Sequence, residues 1–134
     1  MLTTLLLEGF GEQEDLNCAE KILYGASRAY GLDLSPLTLK AAAGFGGGMA
    51  IGSTCGAVTA SVMVLSLFFT ENVGHQSPRL KPLIQEFFTE YQNSMKSIDC
   101  TELKALHYTP EGKCKNIILT AAQILDKIIT RETA

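Results

Sequence analysis

The stretch AAAGFGGGMAIGSTCGAVTASVMVLSLFF, from Ala41 to Phe69, decides the fold of this chain because it contains no charged side chain. A membrane-spanning helix needs about twenty consecutive apolar residues. The glycine run Gly44–Gly48 would interrupt such a helix, and the remainder, Gly52–Thr70, contains several serines and threonines and no Lys or Arg cluster to orient it. We therefore predict no membrane span. A helix that is apolar on all sides is expected at the centre of a helical bundle.

The composition of the chain is that of a globular protein. Its 134 residues are 46% hydrophobic and 19% charged, and the formal net charge is −3. A chain of this size typically folds as one domain, which we place over residues 1–134. The Lys and Arg residues are scattered and form no basic stretch, so we expect no nucleic-acid binding.

The N-terminal residues and the cysteines indicate the compartment. The sequence MLTTLLLEGFGEQED has no basic n-region and no small-residue cleavage site, so we predict no signal peptide and a cytoplasmic location. Thiols stay reduced in the cytoplasm. The 4 cysteines therefore favour metal binding or redox chemistry over a framework of structural disulfides.

Apolar residues recur at helical spacing through most of the chain, and no strand pattern is present. Ser-Pro or Thr-Pro pairs, which typically start helices, occur three times. The pattern predicts an all-α fold, a compact single-domain bundle of about five to six helices. The predicted helices are Asn17–Tyr30, Pro36–Ala43, one from Ser53 or Thr54 to about Asn72, one from Ser77-Pro78 onward, a short one after Asp99, and one from Thr109-Pro110 onward.

Glycines and other small residues are concentrated before and within the central helix. Gly52, Gly56 and Ala60 recur at intervals of four, a spacing that lets another backbone approach closely. The run Gly46–Gly48 is costly to order, and such a loop can direct backbone N–H groups at an anion. No phosphate-binding lysine follows it, which suggests a thiolate as the anion. The glycines that we expect to lie against a cofactor are Gly46, Gly47, Gly48 and Gly56.

All four cysteines lie near predicted helix starts, at Cys18, Cys55, Cys100 and Cys114. A helix start offers unpaired N–H donors and the positive end of the helix dipole, so it lowers the pKa of a thiol. The resulting thiolate is both a nucleophile and a metal ligand. A buried structural role is the alternative for each cysteine taken singly. Because no C-x-x-C pair occurs, any shared site must be assembled by the fold.

The two histidines carry little information. His107 lies between Cys100 and Cys114 and is a fifth candidate ligand, whereas His75 lies in a predicted turn. An exposed or capping role is favoured for both. No Ser-His-Asp order, H-E-x-x-H motif or paired-carboxylate pattern is present, so no catalytic residue is assigned. The absence of C-x-x-C-H excludes covalently attached haem.

The cysteine-bearing segments resemble a family of small redox-active proteins named after its cysteine pattern, C_GCAxxG_C_C. The matching segments are Asn17–Glu20, Gly44–Met49 leading into Thr54–Thr59, Asp99–Leu103, and Cys114 before a long helix. Around Cys55 the order is Thr-Cys-Gly-Ala instead of Gly-Cys-Ala, and Ala60 stands at the place of the final glycine. A similar region occurs in split-Soret cytochromes, which carry an iron–sulfur cluster as well as haem. The resemblance implies a redox role and suggests a cluster.

The resulting hypothesis is an electron-transfer or redox protein with an unidentified protein as electron donor or acceptor. We expect it to hold an iron–sulfur cluster, [2Fe–2S] in preference to [4Fe–4S]. The expected ligands are Cys18, Cys55, Cys100 and Cys114. One alternative is a metal-free thiol–disulfide protein in which Cys100 and Cys114 pair reversibly. Another is a non-enzymatic module with a structural zinc site. A homodimer and a role as an oxidoreductase component stay open.

Overall fold

The computed structural model describes residues 1–134 as a bundle of seven α-helices without any strand. The all-α prediction is confirmed, although the bundle has one or two more helices than the five to six expected. None of the helices combines the length and the apolarity that a membrane span requires. In chain order they are α1 (Leu2–Leu7), α2 (Cys18–Ala29), α3 (Pro36–Lys40), α4 (Gly56–Phe69), α5 (Leu80–Met95), α6 (Cys100–His107) and α7 (Lys115–Glu132).

Helix α4 lies at the centre of the bundle, as the uncharged stretch predicts. It packs against α2, α5 and α7. Its side chains include several with no exposed surface at all, among them Ala57, Val58, Ala60, Val64 and Leu65. The buried hydrophobic residues form one continuous cluster to which α1, α2, α4, α5, α6 and α7 all contribute. The assignment of residues 1–134 to a single domain stays a prediction.

The structure adds helix α1, which the sequence patterns did not predict. Leu2 and Leu6 are buried on its inner face. Its first N–H groups, those of Leu2 and Thr3, donate hydrogen bonds of 3.1 and 2.9 Å to the carboxylate of Asp126 on α7. The Tyr30 hydroxyl donates to the same carboxylate at 2.7 Å. A helix of 6 residues is too short to be stable alone, so this one depends on a partner at the other end of the sequence.

Several helix starts differ from the predicted ones. Helix α4 begins with Cys55 as its N-cap, not Ser53 or Thr54. The Ser77 hydroxyl closes the turn before α5, because it donates to the Val73 carbonyl at 2.7 Å, and α5 starts at Leu80. Thr109 forms a tight turn closed by an antiparallel bridge to Lys113, so α7 starts at Lys115. By contrast, the start of α2 is confirmed, with Asn17 and Glu20 forming a capping box.

The glycine-rich run before α4 forms a left-handed turn. Gly47, Gly48, Met49 and Ala50 have φ angles of 68°, 64°, 60° and 65°. Two of these residues are not glycine, and the left-handed conformation costs such residues about 1–2 kcal/mol each. Gly52 has φ 73° and lies outside the helix, so the expected series of small residues on α4 begins only at Gly56. Strained backbone of this kind is concentrated at functional sites.

Candidate functional site

The four cysteines line one cavity of about 650 Å³, although they are far apart in sequence. Each lies at a helix start: Cys18 and Cys100 are the first residues of α2 and α6, and Cys55 and Cys114 are the N-caps of α4 and α7. All four are free thiols. The fold thus brings the cysteines together, while their role as metal ligands stays a prediction.

Two backbone hydrogen bonds join the starts of α4 and α6. The N–H of Cys55 donates to the Ile98 carbonyl at 2.7 Å, and the N–H of Cys100 donates to the Ser53 carbonyl at 2.6 Å. Between them, Thr54 and Asp99 form an isolated antiparallel bridge. This short pairing holds Cys55 and Cys100 at the same end of the bundle.

A glycine on α4 allows α2 to approach closely. A Cβ atom added at Gly56 would lie 2.7 Å from the Cys18 sulfur, 2.8 Å from the Phe45 carbonyl oxygen and 3.1 Å from the Ala19 Cβ. Real side chains do not tolerate such distances without displacement of their neighbours. Gly56 is therefore required for the contact between the two cysteine-bearing helix starts.

Cys18 is the ionised thiol of the cluster. The Cys55 thiol donates a hydrogen bond to its sulfur, and the N–H groups of Gly47, Ala19 and Gly56 do so as well. These donors outweigh the effect of burial and lower the pKa of Cys18 to about 6. The side chain is half-buried and in contact with the cavity. Cys18 is therefore a thiolate at neutral pH.

Cys55 has the opposite protonation state because it is the donor in the same pair. The hydrogen bond to Cys18, burial, and the negative charge of Cys18 all raise its pKa above the usual thiol range. The N–H groups of Ala57 and Val58 point at its sulfur and oppose the shift. The pair of thiols therefore keeps one of its two protons at neutral pH.

Cys100 and Cys114 complete the cavity on the α6 and α7 side. Cys100 is buried against Gly48, where an added Cβ atom would lie 2.7 Å from the Cys100 Cβ. Cys114 is half-buried, and burial raises its pKa, while the positive charge of Lys104 opposes the shift. The pKa of Cys18 is lowered, as expected, but mainly by the Cys55 thiol and only in part by the helix start; at Cys55 and Cys114 the expectation is wrong, because burial and thiolate neighbours prevail.

The four glycines named from the sequence lie in different surroundings. The N–H groups of Gly47 and Gly56 point at the Cys18 sulfur, and Gly48 packs on Cys100. Gly46 instead lies against the side chain of Asn17. Three of these glycines are thus in contact with cysteines, and cofactor binding by any of the four stays a prediction.

The sequence patterns missed several residues of the site. Lys21 and Lys104 line the cavity, and their charges lower the pKa of Cys114 in opposition to its burial. Lys21 is also paired with Glu12 at 2.9 Å. The buried Tyr91 hydroxyl lies beside Cys55 and donates to the Ile117 carbonyl at 3.0 Å. Among these residues, the helical spacing of apolar side chains pointed only to Tyr91. It predicted that Tyr91 is buried, but not which residues lie beside it.

Neither histidine lines the cavity. The Nε2 atom of His107 donates to the carbonyl oxygen of Met95 at 2.9 Å and so caps the last residue of α5. His75 is exposed in a short turn. The expected capping or exposed roles are confirmed.

The cavity combines four thiols without a preformed site for a metal ion. No three His, Cys, Asp or Glu side chains are placed to hold one metal ion. The cysteines nevertheless form a donor set of four thiols around one cavity, with backbone N–H groups directed at two of the sulfurs. Four cysteines are the usual ligands of iron–sulfur clusters, which spread their ligands over several irons. The donor set is thus of the residue type that holds such a cluster, and cluster binding stays a prediction.

Comparison with known proteins identifies the family. Residues 16–128 match the family described as "Putative redox-active protein (C_GCAxxG_C_C)", so the chain belongs to it and the resemblance seen in the sequence is confirmed. No curated protein and no solved structure matches the chain. Membership in this family supports a redox role.

Proposed function

We propose that the chain is an electron-transfer protein that holds an iron–sulfur cluster in the cysteine-lined cavity. The ligands are Cys18, Cys55, Cys100 and Cys114. The observation that carries the proposal is the single cavity that all four side chains line. The family assignment gives independent support for a redox role.

As the cofactor we favour [2Fe–2S] over [4Fe–4S] and over zinc. A tetrahedral zinc ion with Zn–S bonds of about 2.3 Å draws its four sulfurs to within about 4 Å of one another. No three ligand side chains of the chain meet in this way. A two-iron cluster takes its thiolates as two pairs, and Cys18 and Cys55 are already in contact as one pair. We assign Cys100 and Cys114, which line the same cavity, to the second pair.

The backbone around the sulfurs would adjust the reduction potential. The cluster, when bound, takes up and releases one electron. The N–H groups of Gly47, Ala19 and Gly56 point at the Cys18 sulfur, and those of Ala57 and Val58 at the Cys55 sulfur. Such hydrogen bonds stabilise added negative charge, so they raise the potential.

The affinity of the four thiols for metal depends on pH. Metal ligands must be deprotonated, so binding releases the protons that the free thiols carry. Cys18 is ionised at neutral pH, whereas the raised pKa values of Cys55 and Cys114 keep those thiols protonated. We therefore expect the affinity for iron to increase with pH through the neutral range.

Reconstitution of the purified protein tests the proposal. The metal-free chain is incubated without oxygen with ferrous iron, sulfide and a thiol reductant, and is then desalted. We expect a coloured protein with equal amounts of iron and sulfide and a visible spectrum that bleaches on reduction. A parallel sample with zinc instead of iron tests the alternative. A colourless iron-treated protein that binds one zinc ion tightly would overturn the proposal.

A further inference from the structure

Cys18 and Cys55 are neighbouring thiols in the site. Their helices pack so tightly that only a glycine fits at position 56 beside the Cys18 sulfur. The Cys55 thiol donates a hydrogen bond to that sulfur. A disulfide bond between these neighbours would bring the two sulfurs to about 2.05 Å. This pair differs from the Cys100–Cys114 pair that the sequence suggested.

The two thiols differ in access to solvent. Cys18 is half-buried and lines the cavity, so a small molecule in the cavity can reach its sulfur. Cys55 is only 3% exposed, so a reagent reaches it less easily than its neighbour does. A thiol that is open to a cavity next to a buried thiol is the arrangement of an attacking and a resolving cysteine.

We propose that the metal-free chain exchanges thiols with small disulfides, with Cys18 as the attacking and Cys55 as the resolving cysteine. This activity goes beyond electron transfer through a cluster and needs no metal. The substrate class is a low-molecular-weight disulfide, R–S–S–R, that enters the cavity.

The exchange runs in two steps. The Cys18 thiolate attacks one sulfur of R–S–S–R, the S–S bond breaks, and RS⁻ leaves while a mixed disulfide forms on Cys18. The released RS⁻ takes the proton of Cys55, whose thiolate attacks the Cys18 sulfur and expels the second RS⁻. Two protein thiols are thereby oxidised to one disulfide by two electrons, and the small disulfide is reduced to two thiols.

The disulfide also regulates the site, a consequence that rests on the proposed function. A Cys18–Cys55 bond removes two of the four proposed ligands. The oxidised chain would then take up no cluster until a thiol reductant opens the bond. The metal-free site would be protected against further oxidation of Cys18 in the meantime.

Disulfide mapping of the wild-type chain tests the proposal without a variant. The metal-free protein, prepared with a chelator and without oxygen, is exposed to 2-hydroxyethyl disulfide, quenched in acid and digested. We expect a peptide pair joined through Cys18 and Cys55. A bond from Cys18 to Cys100 or Cys114, or a lasting mixed disulfide on Cys18, would overturn the assignment of Cys55.

Single variants then separate the roles. Cys55→Ser keeps a hydroxyl that can donate to Cys18, so the mixed disulfide on Cys18 should accumulate. Cys18→Ser should abolish rapid release of the small thiol, whereas the control Gly44→Ala, which keeps all four cysteines and adds a methyl group with no neighbour within 4 Å, should behave as wild type. Unchanged release from Cys18→Ser would contradict the proposal. Iron uptake by a parallel wild-type sample reports on the cluster separately, so either proposal can fail alone.

Discussion

Gly56 lies so close to Cys18 that a Cβ atom added to the glycine would stand 2.7 Å from the cysteine sulfur. The same glycine directs its N–H group at that sulfur. One position on α4 thus sets both the distance between two helix starts and the charge of a thiol. The central helix is therefore part of the site as well as the middle of the core.

Gly56→Ala should destabilise the chain and disturb Cys18. The added methyl group must displace the Cys18 sulfur or the Phe45 carbonyl, and such overpacking typically costs about 1–3 kcal/mol. Urea unfolding of the metal-free chain measures the loss. Gly44→Ala is the matched control, because an added Cβ there has no neighbour within 4 Å and its backbone is not left-handed. Equal stability of the two variants would contradict this reading of Gly56.

Gly47→Val should also destabilise the chain, but for a backbone reason. Gly47 has φ 68° and open space around it, so the cost comes from forcing a β-branched residue into the left-handed region. We expect a loss of about 1–2 kcal/mol for valine. Gly47→Asn should lose less, because asparagine tolerates this region. If the melting temperatures of both variants equal that of wild type, the strained turn is not as described.

The stability of the metal-free chain should rise with pH between about 6 and 9. The pKa of Cys18 falls from an ordinary 9.0 to about 6 on folding, so its contribution is complete above pH 9 and is lost as the pH falls through 6. The pKa values of Cys55 and Cys114 are raised on folding. Their contributions to the free energy of unfolding are therefore lost only when the pH rises above the ordinary thiol pKa. Urea unfolding under reducing conditions should show the slope in wild type. A Cys18→Ala variant with the same slope would contradict the assignment.

Asp126→Ala should loosen α1 from the bundle. The substitution leaves the N–H groups of Leu2 and Thr3 and the Tyr30 hydroxyl without their acceptor, which typically costs about 1–3 kcal/mol. Urea unfolding measures the loss, and hydrogen exchange of the α1 amides should become faster. Lys127→Ala, which removes an exposed ion pair with Glu90, should cost less than about 1 kcal/mol. Unchanged exchange in α1 would show that Asp126 does not hold this helix.

Much of the fold follows from local patterns in the sequence. The apolar stretch on α4 and the capping box of Asn17 and Glu20 are encoded within a few residues, so both are visible without a structure. Helix α1 is not, because its stabilising partner Asp126 lies near the other end of the chain. The Thr109-Pro110 pair predicts too early a start for α7, because Thr109 forms a tight turn with Lys113 and the helix begins at Lys115.

The cysteines of the site were predictable from the sequence, but the other residues around them and the chemistry of the thiols were not. Helix-start positions identified the four cysteines that line the cavity. The pairing of Cys18 with Cys55 depends on the contact of α2 and α4 at Gly56, which no spacing in the sequence reveals. The opposite pKa shifts of the two thiols follow from that pairing, so a uniform prediction for all helix starts could not be right.

The iron and sulfide contents of the wild type and the four single Cys→Ser variants test the central claim most directly. If the cysteines hold one cluster, anaerobically reconstituted wild type contains iron and sulfide in equal amounts, and each of the four variants loses most of both. Serine is nearly the same size as cysteine but a poor ligand where iron is bound by thiolates. Gly44→Ala serves as the control and should keep the wild-type content. Wild type without iron, or any of the four variants with the full wild-type content, would contradict the account.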